Sequence, residues 1–258
     1  MSDRSKRISY SELKTWNECS YKHKLVYIDE IGKFNGNEYT AFGTAIHLLC
    51  ENKVLNNSCD SEKIFLEKFD EEISTVDIVD KKNPDLMRSQ FRNIEKDLLP
   101  ELKSKFGTYT VVSVEEQLFE PISIDYKGSK ESFKGFVDLV IKTKDGKYHI
   151  IDWKSCSWGW DARKKNDKIL AYQLVLYKKY FSDKHGIPLS DIETHFGLLK
   201  RTAKKNSVEI FAVSSGKKRI ENSLNLLSKA AINIDKKVFM KNRLSCKYCE
   251  FYKTEHCV

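Results

Sequence analysis

Two β-rich segments joined by Asp145 and Gly146 constrain the fold of this chain more than any other feature of its sequence. Residues 133–143 and 147–154 are rich in β-branched and aromatic side chains, which favour strands. An Asp-Gly pair between two such segments is typical of a β-hairpin turn. The pattern therefore predicts two antiparallel strands that lie next to each other.

Carboxylates on these two strands are the first candidates for a chemical function. Asp152 and Lys154 are two residues apart, so they share a face of their strand. Asp138 joins them on that face only if it pairs opposite Asp152, which a three-residue loop of residues 144–146 would allow. The two carboxylates would then be about 5 Å apart, and a divalent cation would offset their repulsion. Oxygen ligands of this kind suit Mg²⁺ or Mn²⁺.

Helices and further strands are predicted on both sides of the hairpin. Ser9 and Glu12 form a capping-box pattern that starts the first helix. Predicted helices cover residues 10–21, 41–55, 166–181 and 217–237, with a charged helical stretch over 62–105 that is interrupted near Asn83 and Pro84. Predicted strands cover residues 110–119, 194–199 and 208–213 besides the hairpin.

This order of elements predicts an α/β fold with one domain over residues 1–258. A mainly helical part covers residues 1–107, the core with the sheet covers 108–214, and a C-terminal helix with a cysteine-rich tail covers 215–258.

Composition excludes several other classes of protein. The 14 Phe, 12 Tyr and 4 Trp are too many for a disordered chain, and 11 Gly with 4 Pro are too few for a collagen-like one. No apolar run approaches the roughly 20 residues of a membrane helix, and the N-terminal segment lacks the apolar stretch of a signal peptide. We therefore expect a cytoplasmic protein with no membrane partner. Its net charge of +8 is compatible with a polyanionic partner.

Aromatic and basic residues alternate in the segment that follows Lys154. Trp158 and Trp160 precede a run of three basic residues at 163–165. Such a mixture suits base stacking and phosphate contacts on single-stranded nucleic acid. A loop whose tryptophans simply pack beneath it would have the same pattern, and the sequence leaves both interpretations open.

Four motifs, in order, make the chain resemble the PD-(D/E)XK nucleases, in particular their RecB-like branch. The matching segments are Gly43-x3-His47 and Gln173-x3-Tyr177 on predicted helices, and Gly135-Phe136-Val137-Asp138 and Ile151-Asp152-Trp153-Lys154 on predicted strands. The resemblance implies a restriction-endonuclease-like core, in which helices flank a mixed central sheet. It also implies that His47, Asp138 and Asp152 bind Mg²⁺ or Mn²⁺. Lys154 would be catalytic, and Gln173 and Tyr177 would orient the site.

Cysteines extend this resemblance to both ends of the chain. Cys246, Cys249 and Cys257 crowd the tail in a C-x2-C-x7-C pattern, which inside a reducing cell suggests a bound metal. With Cys19 they stand where the iron–sulfur members of the family carry four cysteines, although the x7 gap is longer than usual there. The resemblance implies a [4Fe-4S] cluster that ties the tail to the N-terminal helix, and four thiolates could instead hold Zn²⁺. The other three cysteines are expected to be ordinary thiols.

The resemblance as a whole implies a metal-dependent deoxyribonuclease, expected to be an exonuclease on single-stranded DNA or duplex ends. Recombination, repair, phage DNA processing and CRISPR adaptation are the expected settings. Because the sequence has no Walker-type phosphate-binding motif, a helicase or a recombination or CRISPR partner would have to supply any motor. An inactive DNA-binding module with a structural metal, and a metal-dependent RNase, are the alternatives. Whether Glu115 or Glu116 joins the site stays open.

Overall fold

The computed structural model describes residues 7–32, 34–56, 58–80, 83–123 and 131–257. Within these ranges the chain forms helices at both ends and a sheet in its middle. The α-helices are α1 (Tyr10–Glu18), α2 (Ser20–His23), α3 (Glu38–Leu55), α4 (Ser61–Ile73), α5 (Asn83–Phe106), α6 (Ala162–Lys165), α7 (Lys168–His185) and α8 (Lys217–Asp235). A π-helical turn spans Lys24–Ile28, and 3-10 turns span Leu189–Asp191 and Arg243–Tyr248.

Six strands of the described residues form one mixed sheet. They are β1 (Arg7–Ser9), β2 (Tyr109–Pro121), β3 (Ser132–Thr143), β4 (Tyr148–Cys156), β5 (Ile192–Lys200) and β6 (Val208–Ala212). The strand order is β1-β3-β4-β5-β6, and β2 also pairs with β3. β1 and β3 are parallel, as are β4 and β5, whereas β3–β4 and β5–β6 are antiparallel. A mixed sheet flanked by helices confirms the predicted α/β fold of the restriction-endonuclease type.

The hairpin between β3 and β4 has the predicted register. Leu139 lies opposite Ile151, so the next position along the same register sets Asp138 opposite Asp152. The Thr143 amide donates to the Lys147 carbonyl at 3.0 Å and closes a loop of three residues, 144–146. Gly146 has a φ of +86°, a conformation that side chains other than glycine rarely adopt.

The chain divides into two compact units, each built from segments that are distant in sequence. The first unit comprises Met1–Phe34, Gln117–Gly135 and Gly216–Val258, and the second comprises Asn35–Glu116 and Phe136–Ser215. In the first unit, α1 packs against α8 and β1 pairs with the start of β3. The single domain expected from the sequence stays a prediction.

Alternation of side chains along β4 gives the second unit its two layers. Ile151 and Trp153 belong to a buried cluster with residues of α3, α4 and α5, including Phe42 and Phe65. Tyr148, which points to the other face, lies 6.3 Å from the Phe181 ring on α7, measured between ring centroids. Asp152 therefore lies on the α7 side of the sheet, while α3 to α5 cover the opposite face.

Trp153 and Gly197 hold β4 and β5 at close range. They are partners in the parallel register, and a Cβ atom added to Gly197 would lie only 2.1 Å from the indole ring. The glycine thus provides the space that the buried indole fills, and this contact fixes the strand that carries Asp152 and Lys154.

Several predicted boundaries are wrong. The first helix ends at Glu18 rather than near residue 21, because Cys19 adopts an extended conformation before α2 begins. The interruption predicted near Asn83 and Pro84 is present, since α4 ends at Ile73 and α5 begins at Asn83. β1 was not predicted, because three residues are too few for a recognisable alternation. In the part of the chain that the structure describes, no helix combines the length and apolarity needed to cross a membrane.

Candidate active site

The end of the β3–β4 ladder creates the candidate active site. Asp138 lies just before Leu139, where the pairing of β3 with β4 ends, and its Oδ2 accepts a hydrogen bond from the backbone N–H of Trp153 at 2.6 Å. A side chain thus satisfies the backbone donor of the neighbouring strand, as buried amides require. This bond fixes the Asp138 carboxylate beside Asp152.

Helix α3 brings His47 to the same place. Asn37 caps the start of α3 by accepting from the amides of Tyr39 and Thr40, at 3.0 and 3.1 Å. His47 Nδ1 lies 3.6 Å from Asp138 Oδ2, and the imidazole also has a hydrogen bond with the Trp153 backbone. One turn earlier, a Cβ on Gly43 would lie 3.3 Å from Ser155 Oγ, so the absence of a side chain lets α3 approach β4 closely.

Glu115, and not Glu116, is the glutamate of β2 that joins this cluster. Ligand atoms of His47, Glu115 and Asp138 all lie within 4.8 Å of one another. Glu115 has a φ of +46°, a strained conformation for a residue other than glycine, and strain of this kind is concentrated at functional sites. Glu116 instead contacts Lys184 Nζ at 2.7 Å and His185 Nε2 at 2.5 Å.

The carboxyl groups of the site outnumber its positively charged groups. Burial, and then the charge of Asp152, raise the pKa of Asp138 well above its ordinary value, although Lys154 opposes the shift. Burial, followed by the charges of Glu51 and Asp152, also raises the pKa of Glu115. Burial and the nearby Lys154 lower the pKa of His47 to about 4, so at neutral pH its imidazole is uncharged, the form that binds metals.

These residues fit a hard divalent cation. Their donors are carboxylate oxygens with one neutral imidazole, and a cation would remove the like-charge repulsion that the raised pKa values record. Asp152 is almost completely buried, and its Oδ2 lies 2.7 Å from Lys154 Nζ. Burial raises the pKa of Asp152, and the ion pair with Lys154 opposes that shift. Because Lys154 is already paired with Asp152, it offsets the charge of Asp138 only in part.

Gln173 and Tyr177 lie on the face of α7 that is turned towards the two aspartates. Gln173 Nε2 donates to the Tyr177 hydroxyl at 3.1 Å, and both side chains are buried. Burial, and then the negative charge of Asp152, raise the pKa of Tyr177, so its hydroxyl stays protonated. Gln173 Oε1 has no hydrogen-bond partner among the described residues.

In the aromatic and basic segment after β4, each of the two interpretations of the sequence describes one of the tryptophans. Trp160 packs, with its ring centroid 5.2 Å from that of Phe196, and Lys164 Nζ lies 4.7 Å above the indole. Trp158 does not pack and is 79% exposed. Arg163 and Lys164, which follow it in the chain on α6, are also exposed. One tryptophan supports the fold, and the other is open to a ligand.

Four cysteines line one cavity of the first unit. Its volume is about 270 Å³, and Cys19, Cys246, Cys249 and Cys257 are all part of its wall. The backbone N–H of Asn242 donates to Cys19 Sγ at 3.3 Å, a type of contact that tunes thiolate clusters. All four sulfurs are free of disulfides. The structure thus brings the four predicted cysteines into the wall of one cavity.

The other cysteines differ from these four in their surroundings. Cys50 is buried in the core of the second unit, where burial and then the charge of Asp138 raise the pKa of its thiol. Burial also raises the pKa of Cys156. Protonated, partly or fully buried thiols of this kind are weak nucleophiles.

A mixed sheet with an acidic hairpin, an adjacent lysine and a helix-borne histidine defines a class of metal-dependent nucleases. A family model of the PD-(D/E)XK nuclease superfamily matches residues 7–254, nearly the whole chain. The chain therefore belongs to the PD-(D/E)XK nuclease superfamily, as the four motifs implied.

Solved structures with this fold are distant in sequence. A crystal structure from Eubacterium rectale, described as a "Putative exonuclease", matches with a TM-score of 0.59 and 10% sequence identity, over 95% of this chain and 86% of that chain. At this identity the likeness supports the fold alone. The crystal structure of SSO0001 matches at 15% identity over 93% of this chain and 92% of that chain, but its TM-score of 0.39 is too low to support an argument. No curated protein matches the sequence.

Proposed function

We propose that this chain is a metal-dependent deoxyribonuclease that acts as an exonuclease. The observation that carries the proposal is the cluster of His47, Glu115 and Asp138 beside the Asp152–Lys154 pair. Membership of a nuclease superfamily supports hydrolysis of phosphodiester bonds, and the similarity to a "Putative exonuclease" is compatible with digestion from an end.

His47, Asp138 and Asp152, with Glu115 as a further carboxylate, are the proposed ligands of Mg²⁺ or Mn²⁺. When bound, such an ion lowers the pKa of a coordinated water and offsets charge on the phosphate. The hydrogen bond from the Trp153 amide orients Asp138, and the bond to the Trp153 backbone fixes the ring of His47. The chain thus presents its ligands in one arrangement before any substrate arrives.

Lys154 is the proposed catalytic cation. Its ammonium lies 2.7 Å from Asp152 and remains partly exposed, so it can also contact a phosphate oxygen or the attacking water. A fixed positive charge at that position stabilises the negative charge that develops in the transition state. Gln173 and Tyr177 are proposed as positioning residues, because Tyr177 lies close enough to both aspartates for their charges to affect its pKa.

The exposed Trp158 and the neighbouring bases are the proposed contact with single-stranded DNA. An indole that is 79% exposed offers a face on which one base can stack. Arg163 and Lys164 can meet the phosphates on either side of that base. This arrangement supports a substrate with an unpaired end.

The four-cysteine cavity is proposed to hold a [4Fe-4S] cluster, with Zn²⁺ as the second candidate. Four thiol donors in one cavity suit either group. A helicase or another recombination or CRISPR partner would supply any motor function, since the sequence has no Walker-type motif.

The decisive experiment incubates the purified full chain with end-labelled single-stranded DNA, duplex DNA and RNA of one sequence. Each substrate is tested with Mn²⁺, with Mg²⁺ and with EDTA. We expect DNA to be shortened from an end, only when a divalent ion is present. Binding without cleavage under every metal condition would favour the inactive DNA-binding module, and preferential loss of RNA would favour an RNase.

A further inference from the structure

A second group of metal-type ligands lies in the second unit, away from the acidic cluster. His149 is near the start of β4, and Glu193 and His195 are near the start of β5. In the parallel register His149 pairs with Glu193, and Ile151 pairs with His195, so the three side chains share a face of the sheet. Asp152 is on the opposite face of β4. None of its three residues is part of the acidic cluster.

The spacing of the three side chains matches a tetrahedral ion. His149 Nδ1 lies 3.1 Å from His195 Nε2, and these nitrogens lie 3.6 and 3.9 Å from Glu193 Oε2. Ligands of a tetrahedral Zn²⁺ at its usual bond lengths are separated by about 3.4 Å. An ion could occupy the centre of this triangle after shifts of only a few tenths of an ångström, within the thermal motion of side chains.

Neighbouring groups prepare the two imidazoles for such a role. The Thr143 hydroxyl lies 3.1 Å from His149 Nε2, so it can hold that nitrogen as the N–H donor and leave Nδ1 with its lone pair. Phe106 packs on both rings, with centroid distances of 4.7 and 5.1 Å, and restricts their rotation. Burial lowers the pKa of His149 and lowers that of His195 to about 3, so both rings are neutral at pH 7.

Solvent reaches the group from one side. Glu193 is exposed, and His149 forms part of the wall of an open cavity of about 350 Å³. Asp145 also lines that cavity and adds negative charge near its mouth. Lys105 and Lys144 also line the cavity and oppose a metal, but both side chains are exposed and can turn into solvent.

We propose that His149, Glu193 and His195 form a binding site for a transition-metal dication of the Zn²⁺ class, which cross-links β4 and β5. Two imidazoles and one carboxylate are a donor set that suits Zn²⁺ and Co²⁺ and that Mg²⁺ does not prefer. Water would complete the fourth position on the exposed side. The site is a structural clasp for the strand that carries Asp152 and Lys154.

The test counts bound ions and measures their affinity in the 258-residue chain and in its variants. Wild type, Glu193→Gln and the control Asp191→Asn are titrated with Co²⁺, and the visible ligand-field absorption of the ion is recorded. Asp191 is a matched control because it removes a carboxylate two residues away, whose Oδ1 contacts Lys147 Nζ at 3.1 Å. The cysteines and the acidic cluster are unchanged in all three proteins, so their contribution cancels.

We expect Glu193→Gln to lose one equivalent of bound Co²⁺, or to bind that equivalent on the order of 10–100-fold more weakly, while Asp191→Asn resembles wild type. His195→Asn provides a second variant, and it should lose the same equivalent. The thermal stabilisation by Zn²⁺ should fall in the same two variants. Equal numbers of ions and equal affinities in wild type and both site variants would overturn the proposal and leave a simple hydrogen bond between two histidines.

Discussion

The acidic site of the second unit and the four-cysteine site of the first unit are built in opposite ways. In the second unit, the acidic site lies on regular strands and one long helix, and the backbone of Trp153 holds its first ligands. In the first unit, the four cysteines are Cys19 and three from residues 246–257. Cys246 lies in a 3-10 turn, Arg243–Tyr248, that has no buried residue, and Cys249 and Cys257 follow that turn. Leu244 in that turn is 95% exposed.

This difference predicts different roles for the bound ions. A site whose ligands are fixed by a sheet and its core keeps its shape without metal, so the ion there serves chemistry. A site on short irregular segments has little apolar burial of its own, so the free energy of metal binding becomes free energy of folding. Variants at the two sites should therefore fail in different measurements.

Lys154→Ala should have the largest effect on activity. Its ammonium is proposed to stabilise charge in the transition state, and losing such a contact costs on the order of 10²–10³ in rate. The single-turnover rate of DNA cleavage in Mn²⁺ measures this loss. The melting temperature and DNA affinity, at matched salt, should stay close to wild type.

Lys144→Ala is the control for this variant, because Lys144 is exposed in the loop of the same hairpin. It removes the same charge without touching the site. Cleavage by Lys154→Ala at the wild-type rate would refute the proposed mechanism, whatever the fold.

Cys19→Ser tests the four-cysteine site of the first unit. We expect the variant to lose its iron or zinc and to unfold with a melting temperature lowered by more than about 5 °C. Elemental analysis of freshly prepared protein and a thermal melt measure the two effects. Cys59→Ser changes a cysteine that is not part of the cavity wall and should keep its metal. An unchanged metal content in Cys19→Ser would contradict the assignment of this cysteine.

Glu115→Gln tests the strained residue of β2 against its neighbour. Loss of a carboxylate near the ion should weaken Mn²⁺ binding by on the order of 10-fold, which isothermal titration of the nuclease site can detect. Glu116→Gln should leave Mn²⁺ affinity unchanged, since Glu116 pairs with Lys184 and His185 instead. Weaker Mn²⁺ binding in Glu116→Gln with unchanged binding in Glu115→Gln would show that Glu116 is the ligand.

Local patterns allowed much of the second unit to be predicted. Alternation along residues 133–154 and the Asp-Gly turn predict the hairpin. A three-residue loop then gives the register in which Asp138 lies opposite Asp152. His47 lies on the predicted helix, and its place beside Asp138 follows from the packing of α3 on β4.

Features that depend on tertiary context were not predictable in this way. The choice of Glu115 over Glu116 depends on a positive φ in β2, which no residue type at that position signals. The group at His149 forms because β4 pairs in parallel with β5, although 35 residues, 157–191, separate the two strands. The sequence signal for this group is the spacing Glu193-x-His195, which puts two possible metal ligands on one face of a strand.

Gly197→Ala should have the smallest effect of these variants. It tests whether β4 is a rigid support for the ligands of the acidic site. The added methyl group would lie 2.1 Å from the Trp153 ring, so the indole or the strand must move. Overpacking of this kind typically costs about 1–3 kcal/mol of stability, measurable as a lower urea midpoint with an unchanged slope. Trp153→Leu removes the ring, and in the double variant the added cost of the alanine should largely disappear.

Because the Trp153 backbone holds both Asp138 and His47, Gly197→Ala should also slow DNA cleavage, although less than Lys154→Ala does. Wild-type stability and activity in Gly197→Ala would mean that β4 adapts easily, and that the ligands of the acidic site are less fixed than those of a rigid strand.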